Sequence, residues 1–198
     1  IFILYIYIYS HLYRISYSFV FFLYLMYIDT LRKERDTMKK KVLRILLALL
    51  IISWMGLIFF FSSQTGTASA SSSHSVLYLL GHISKSLTGH DLVAALSPTA
   101  FGFLEFIIRK CAHMFAYFIL SILTMSLLFT YKKYPIRFKA CLSLLISFLY
   151  ACSDEIHQFF VGGRSASFKD VLIDSTGACI GILLTIIIYT ILKKAQHH

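Results

Sequence analysis

The stretch VLRILLALLIISWMGLIFFF, residues 42–61, is the clearest indication in the sequence of the fold class. Its only polar residues are Arg44, near its start, and Ser53. An apolar helix of about 20 residues is long enough to cross the hydrocarbon core of a bilayer. Three further stretches have the same apolar character: Phe103–Phe129, Arg137–Val161 and Phe168–Leu192. The sequence therefore predicts an all-α fold, a polytopic membrane bundle of four transmembrane helices.

The composition of the whole chain supports this fold class. Hydrophobic residues make up 58% of its 198 residues, which excludes an ordinary soluble domain. The formal net charge of +10 is compatible with a nucleic-acid partner. However, the basic residues lie in short clusters beside the apolar runs, as in membrane proteins, so no nucleic-acid binding is predicted.

The distribution of basic residues predicts the orientation of the spans. Ten of them fall on one side: Lys39, Lys40, Lys41, Arg44, Lys132, Lys133, Arg137, Lys139, Lys193 and Lys194. The loops of the opposite side contain Lys85, Arg164 and Lys169. Because the loops rich in Lys and Arg stay in the cytoplasm, we expect both termini to be cytoplasmic if the chain starts at Met38.

Residues 1–37 differ from the rest of the chain in composition. They are dominated by Ile, Phe, Tyr, Leu and Ser, a bias that translated AT-rich DNA would give. A Lys-Glu pair shortly before Met38 can be encoded by a ribosome-binding sequence at a normal distance from a start codon. We expect residues 38–198 to form the membrane domain and residues 1–37 to be upstream translation. The alternative is a genuine extra N-terminal hydrophobic segment.

The longest connection, residues 62–99, joins the first two spans. Residues 62–75 are rich in Ser, Thr, Ala and Gly and are predicted to be flexible. Val76–Leu87 has apolar residues at helical spacing, which predicts an outer amphipathic helix between spans one and two. His74, His82 and His90 are eight residues apart, a spacing that no helix keeps on one face, so we expect solvated loop histidines.

Ionisable side chains occur near the outward ends of three predicted spans. At membrane depth such a group costs at least about 2.5–3.5 kcal/mol, so it is rare unless it is paired or functional. Glu105, Arg109, His113 and Tyr117 recur every fourth residue and therefore share one face of a helix. Asp154 and Gln158 are likewise one turn apart, as are Asp170 and Asp174. We therefore predict one buried polar site near the outer surface.

The residue types suggest two sets of roles at this site. The candidate catalytic residues are its acids and histidines: His113, Asp154, Glu155, His157, Asp170 and Asp174. The candidate ligand-binding residues carry cations or hydrogen-bonding groups around them: Gln64, Glu105, Arg109, Lys110, Tyr117, Gln158 and Arg164. Arg109 is expected to pair with a carboxylate, and Arg164, after a Gly-Gly turn, to contact an anion at the surface.

No metal and no other cofactor is predicted, because the spacing matches no known metal signature. The alternative is a metal site made from His113, His157, Asp154 and Glu155, which are suitable ligands. Further along the last span, Gly177 and Gly181 form a G-x-x-x-G pair, which predicts close packing against another helix.

An ordered set of short motifs resembles those of the VanZ-like family, named after a teicoplanin-resistance accessory protein. In chain order they are Phe61-Ser62-Ser63-Gln64, Arg109-Lys110-Cys111-Ala112-His113 with Tyr117, Asp154-Glu155-Ile156-His157-Gln158-Phe159, Gly163-Arg164, Asp170, and Asp174 with Gly177 and Gly181. The resemblance covers about Met38–Leu192. It implies a bacterial multi-pass inner-membrane protein with a connection to the cell envelope and to glycopeptide tolerance.

Three functions are open at this point. The first is binding or processing of a membrane lipid or a lipid-linked wall precursor, with His113 or His157 as proton carrier if a reaction occurs. The second is a non-enzymatic accessory protein whose buried charges form a closed ion-pair network. A small transporter is the third, although four spans without a repeat are few for alternating access, unless a homo-oligomer adds helices.

Overall fold

Five helices make up the part of the chain that the computed structural model describes, residues 37–164 and 166–195. They are α1 (Thr37–Ser62), α2 (Gly66–Thr88), α3 (Pro98–Phe129), α4 (Ile136–Phe159) and α5 (Phe168–Ala195). The described residues contain no strand, so the predicted all-α class is confirmed. The hypothesis about the N-terminal segment concerns residues outside the described part, apart from the backbone of Thr37.

Four of the helices are long and apolar enough to cross a membrane, which confirms the four predicted spans. They are Met38–Ser62, Pro98–Phe129, Ile136–Phe159 and Phe168–Ala195. We call the end where α1 and α4 finish and α3 and α5 begin the polar end. The opposite end, which carries the basic clusters, is called the basic end.

The helix α2 begins earlier than predicted, so the expected flexibility of residues 62–75 is wrong. Thr65 caps its N-terminus by accepting a hydrogen bond from the Ala68 N–H at 3.3 Å. Inside the helix, serine hydroxyls donate to the carbonyl oxygen one turn earlier, as Ser75 does to Ser71 at 3.0 Å. These bonds occupy the hydroxyl groups within the helix, so that they do not compete for the backbone N–H groups. The predicted amphipathic helix is therefore the second half of a longer one.

The core of the bundle is centred on α3, which contacts each of the other four helices. Three of its residues, Tyr117, Leu120 and Leu123, are completely buried. The most extensive contact of α3 is with α5, where Gly177 and Gly181 let the two backbones approach. A side-chain Cβ at Gly177 would overlap the backbone oxygen of a facing α3 residue, so the predicted close packing is confirmed.

The helix α1 is held to the bundle by side-chain hydrogen bonds to backbone oxygens. The Trp54 indole N–H donates to the Ala116 carbonyl of α3 at 2.9 Å, and the Tyr150 hydroxyl of α4 donates to the carbonyl of Met55. At the basic end, Arg44 donates to both oxygens of Thr130, the C-cap residue directly after α3. These contacts fix the level at which α1 reaches the polar end.

Candidate polar site

The last turn of α1 meets the last turn of α4 in a buried hydrogen-bond cluster. The Ser62 hydroxyl donates to Asp154 Oδ2 at 2.8 Å, and the Gln158 amide donates to the same oxygen at 3.1 Å. Gln158 also donates to the Ser62 hydroxyl at 3.2 Å. All three residues are buried. The i,i+4 spacing of Asp154 and Gln158 places both on the α4 face that α1 covers.

Charged residues of α3 make contacts at the polar end, both within the helix and to its neighbours. Lys110 Nζ lies 2.6 Å from Asp170 Oδ2 of α5, a short charge-assisted contact. Arg109 pairs with Glu105 one turn earlier in α3, at 3.3 Å, as the sequence predicted. The other oxygen of Glu105 lies 3.0 Å from His74 Nε2 of α2. His74 is therefore a helical, half-buried partner of an acid, and its assignment as a solvated loop histidine is wrong.

The loop between α4 and α5 is fastened to the end of α1. Arg164 donates from Nε to the Gln64 carbonyl at 3.0 Å and from Nη2 to the Phe61 carbonyl at 3.3 Å. Gly66 and Gly163 approach so closely that a Cβ on Gly66 would overlap the Gly163 carbonyl. The guanidinium of Arg164 is therefore half-buried and fixed, rather than a solvated charge above the site.

The two guanidinium groups of the polar end lie close enough to influence each other. Burial, and then the positive charge of Arg109, lower the pKa of Arg164 from its ordinary value. On the α4 side of the same loop, Glu155 Oε2 accepts a hydrogen bond from the Ser167 N–H at 2.8 Å. The loop backbone and the helix ends thus hold charges of both signs around one space.

That space is a cavity of about 250 Å³ between α3, α4, α5 and the α4–α5 loop. Its lining residues are Phe106, Arg109, Lys110, His113, Glu155, Gln158, Gly163, Arg164, Asp170, Ile173 and Asp174. Eight of them are predicted site residues, brought together from three helices and a loop. Phe106, Gly163 and Ile173 were not predicted as site residues. Phe106 and Ile173 have no sequence signal that separates them from ordinary helix residues, and Gly163 was noted only as part of a motif with Arg164.

Five predicted site residues lie outside the cavity lining. The backbone carbonyl of Gln64 accepts a hydrogen bond from Arg164. Glu105 forms an ion pair with Arg109, and Asp154 accepts a hydrogen bond from Ser62 at the end of α1. Tyr117 lies one turn further along α3 than the lining residue His113, and its side chain is completely buried. The fifth residue is His157.

The structure does not place His157 among the lining residues. Its ring stacks on Phe59 of α1, with the ring centroids 4.3 Å apart. Successive residues are rotated by about 100° around a helix, so His157 points to a different side of α4 than Gln158. The proposed metal set needs His113 and His157 together. Among residues 37–164 and 166–195, no group of three or more His, Cys, Asp or Glu residues is arranged to hold a metal ion.

Several polar atoms near the cavity are buried without a hydrogen-bond partner in the described part of the chain. Both carboxylate oxygens of Asp174 are among them, together with Asp154 Oδ1 and the Tyr117 hydroxyl. Asp174 is only 1% exposed, although it belongs to the cavity lining. Since buried polar groups are normally paired, the two oxygens of Asp174 mark the inner part of the cavity as a place for further polar contacts.

The fold and the site together define a polytopic helical membrane protein with a charged cavity at one end of its bundle. The chain belongs to the VanZ/LLP1 family, whose family model matches residues 47–189. The matched range contains the whole cavity lining. No curated protein and no solved structure gives a significant match to the chain.

Proposed function

We propose that this protein binds the phosphate-bearing head group of an envelope lipid, or of a lipid-linked wall precursor, in the cavity at its polar end. The observation that carries the proposal is the joint presence of Arg109, Lys110 and Arg164 in the lining of one cavity. Guanidinium and ammonium groups are the usual protein partners of phosphate oxygens.

The depth of the cavity fits a lipid phosphate. Arg109 lies twenty residues from Phe129, the last residue of α3, which corresponds to about 30 Å along the helix axis. That length equals the thickness of a typical hydrocarbon core, also about 30 Å. When Phe129 lies at one boundary of the core, Arg109 lies at the other, where the phosphates of a leaflet are found.

The size of the cavity favours a head group over an entire wall precursor. Pockets for drug-sized ligands measure about 300–1,000 Å³, and this cavity, at about 250 Å³, is slightly smaller. A phosphate with a short polar substituent fits such a volume. A precursor with its sugars and peptide would have only its phosphate portion inside.

The proposal includes an orientation and a location. By the positive-inside rule, the ten basic residues of the basic end support an orientation with that end in the cytoplasm and the cavity towards the outer leaflet of a bacterial inner membrane. Within the lining, His113 is the one histidine, so a reaction on the bound head group would use it for proton transfer.

Lipid analysis of the purified protein tests the proposal. The wild type, extracted in mild detergent, is expected to retain a phosphate-containing lipid that native mass spectrometry detects. Arg109→Gln should lose this lipid, whereas Arg137→Gln should retain it, because Arg137 is exposed at the basic end. Equal lipid retention by both variants would contradict the proposal.

The link to glycopeptides is a further part of the proposal, which the family resemblance suggests. Cells that produce the wild type are expected to tolerate more teicoplanin than cells that produce Arg109→Gln at the same level. The minimum inhibitory concentration measures this difference. Unchanged tolerance in the Arg109→Gln strain would separate the cavity from any such phenotype.

The accessory-protein alternative is favoured by one contact, the 2.6 Å pair between Lys110 and Asp170 that connects α3 to α5. A charge swap, Lys110→Asp with Asp170→Lys, separates the two functions. Either substitution alone should lower thermal stability, because it breaks the ion pair. If the protein is only an accessory protein, the double swap should restore both stability and cellular function. If it binds a lipid phosphate, the double swap should restore stability but not the bound lipid, because it moves the charges of the cavity lining.

A further inference from the structure

We infer that Asp174 forms the floor of a subsite for a small cationic group, and that the ligand is an aminophospholipid whose ammonium reaches this floor. The inference rests on the proposed function and specifies its ligand class. A head group with a phosphate and an ammonium matches a cavity that has cations in its lining and an unpaired acid at its inner end.

The first observation is the state of Asp174 itself. Its side chain is buried, at 1% exposure, and neither carboxylate oxygen has a hydrogen-bond partner in the described part of the chain. The residue nevertheless belongs to the cavity lining. An isolated buried carboxylate is costly, so a cation delivered through the cavity would gain a strong interaction there.

The nearby cations are already engaged elsewhere. Lys110 Nζ contacts Asp170 at 2.6 Å, and Arg109 pairs with Glu105 at 3.3 Å. Arg164 donates to two backbone carbonyls at the end of α1. None of the three donates a hydrogen bond to Asp174, although the charge of Lys110 acts on it from a distance.

The charges of the cavity lining point the same way. Its cations are Arg109, Lys110 and Arg164, and its carboxylates are Glu155, Asp170 and Asp174. A lining with three charges of each sign favours a zwitterionic head group over an anionic one, because the zwitterion adds no net charge to a low-dielectric bundle.

The positions of the charged residues along the bundle axis determine where the phosphate and the ammonium of the ligand would lie. Asp174 lies one helical turn further into the bundle than Asp170, a distance of about 6 Å along α5. The guanidinium groups of Arg109 and Arg164 lie towards the polar end. A phosphate held there can place an ammonium on a two-carbon link, as in phosphoethanolamine, close to Asp174. The head group would then turn into the bundle instead of facing water.

Binding of short-chain lipids to the detergent-solubilised full chain tests the inference. The probes are dioctanoyl phosphatidylethanolamine, phosphatidylglycerol and phosphatidic acid, and native mass spectrometry measures their affinities. We expect the wild type to bind phosphatidylethanolamine about tenfold more tightly than the other two, since a charge-assisted contact has this order of magnitude. Asp174→Asn should abolish the preference and leave the affinity for phosphatidic acid unchanged.

A matched control and a second variant guard against effects on folding. Thr176→Ala changes an exposed residue two positions away on α5 and should behave as the wild type. Asp174→Ser serves as the second variant if Asp174→Asn does not fold. Equal wild-type affinity for all three lipids would overturn the inference, as would an equal loss of all three in both Asp174 variants.

Two other outcomes would contradict either the proposed function or the kind of cation that the subsite binds. If no lipid binds, or if Arg109→Gln leaves all three affinities unchanged, the proposed function itself fails. If sodium chloride stabilises the lipid-free wild type but not Asp174→Asn, and no lipid is preferred, the subsite binds a free cation. That result would overturn the assignment to an aminophospholipid.

Discussion

Two adjacent serines at the end of α1 show how the site depends on individual side chains. Ser62 is completely buried and donates to Asp154, whereas Ser63 is exposed and donates to the Phe60 carbonyl of its own helix. The residues are chemically identical and differ only by about 100° of helix rotation. The two positions can therefore be compared by the same substitution, one in a buried environment and one in an exposed environment.

Ser62→Ala should destabilise the protein and Ser63→Ala should not. The loss of the Ser62 hydroxyl removes a donor from a buried carboxylate, which costs about 1 kcal/mol in a membrane bundle. Ser63→Ala leaves only the exposed backbone carbonyl of Phe60 without this side-chain donor. Thermal unfolding in detergent measures both variants, and equal midpoints would show that the α1–α4 cluster does not form.

Residue spacing in the sequence predicts much of the site, but it does not predict which way the helices turn. The i,i+4 spacing of Arg109 and His113 correctly places both on one face of α3, and both line the cavity. His157 and Gln158 are neighbours in sequence, yet only Gln158 lines it. The rotation of α4 against α1 and α3 decides this, and it depends on packing that a single sequence does not reveal.

At the scale of the helices, the contact between α3 and α5 positions the two halves of the cavity. Gly177 and Gly181 allow the approach, and the ion pair of Lys110 with Asp170 lies above them at the polar end. The G-x-x-x-G spacing predicted close packing of α5, but not that α3 is its partner. The start of α2 was not predictable, because a composition rich in serine is typical of flexible segments and does not show that the hydroxyls bond within a helix.

Gly177→Ala should lower stability by about 1–3 kcal/mol, because the added methyl group overpacks a tight helix contact. Gly56→Ala is the control, since a Cβ on Gly56 of α1 meets no atom within 4 Å. There the higher helix propensity of Ala should leave stability equal or slightly increased. Denaturation in detergent compares the two variants. A Gly177→Ala protein as stable as the control would contradict the close α3–α5 packing.

At the scale of the whole molecule, four helix ends bring polar residues to one level, and the basic clusters lie at the other end. The four spans and the separation of charge follow directly from the sequence, because both are one-dimensional patterns. The cavity does not follow from the sequence, because its shape depends on the tilt and spacing of α3, α4 and α5. Its place in the membrane connects the fold with the proposed function.

Cysteine labelling of intact cells tests the orientation of the molecule. In a variant without the four native cysteines, Ser63→Cys reports on the polar end and Tyr134→Cys on the basic end, and both positions are exposed. A membrane-impermeant maleimide should label Ser63→Cys directly and Tyr134→Cys only after permeabilisation. The reverse pattern would place the cavity in the cytoplasmic leaflet.

Photo-crosslinking with a lipid tests the central claim most directly, namely that polar residues of separate helices form one head-group site. The probe is a phosphatidylethanolamine analogue with a photoreactive group beside its phosphate, and mass spectrometry identifies the modified peptides. We expect crosslinks in residues 106–113 of α3, in 163–164 of the α4–α5 loop, and in 170–174 of α5. Crosslinks confined to exposed apolar residues of α1, such as Leu49 and Ile52, would contradict the claim.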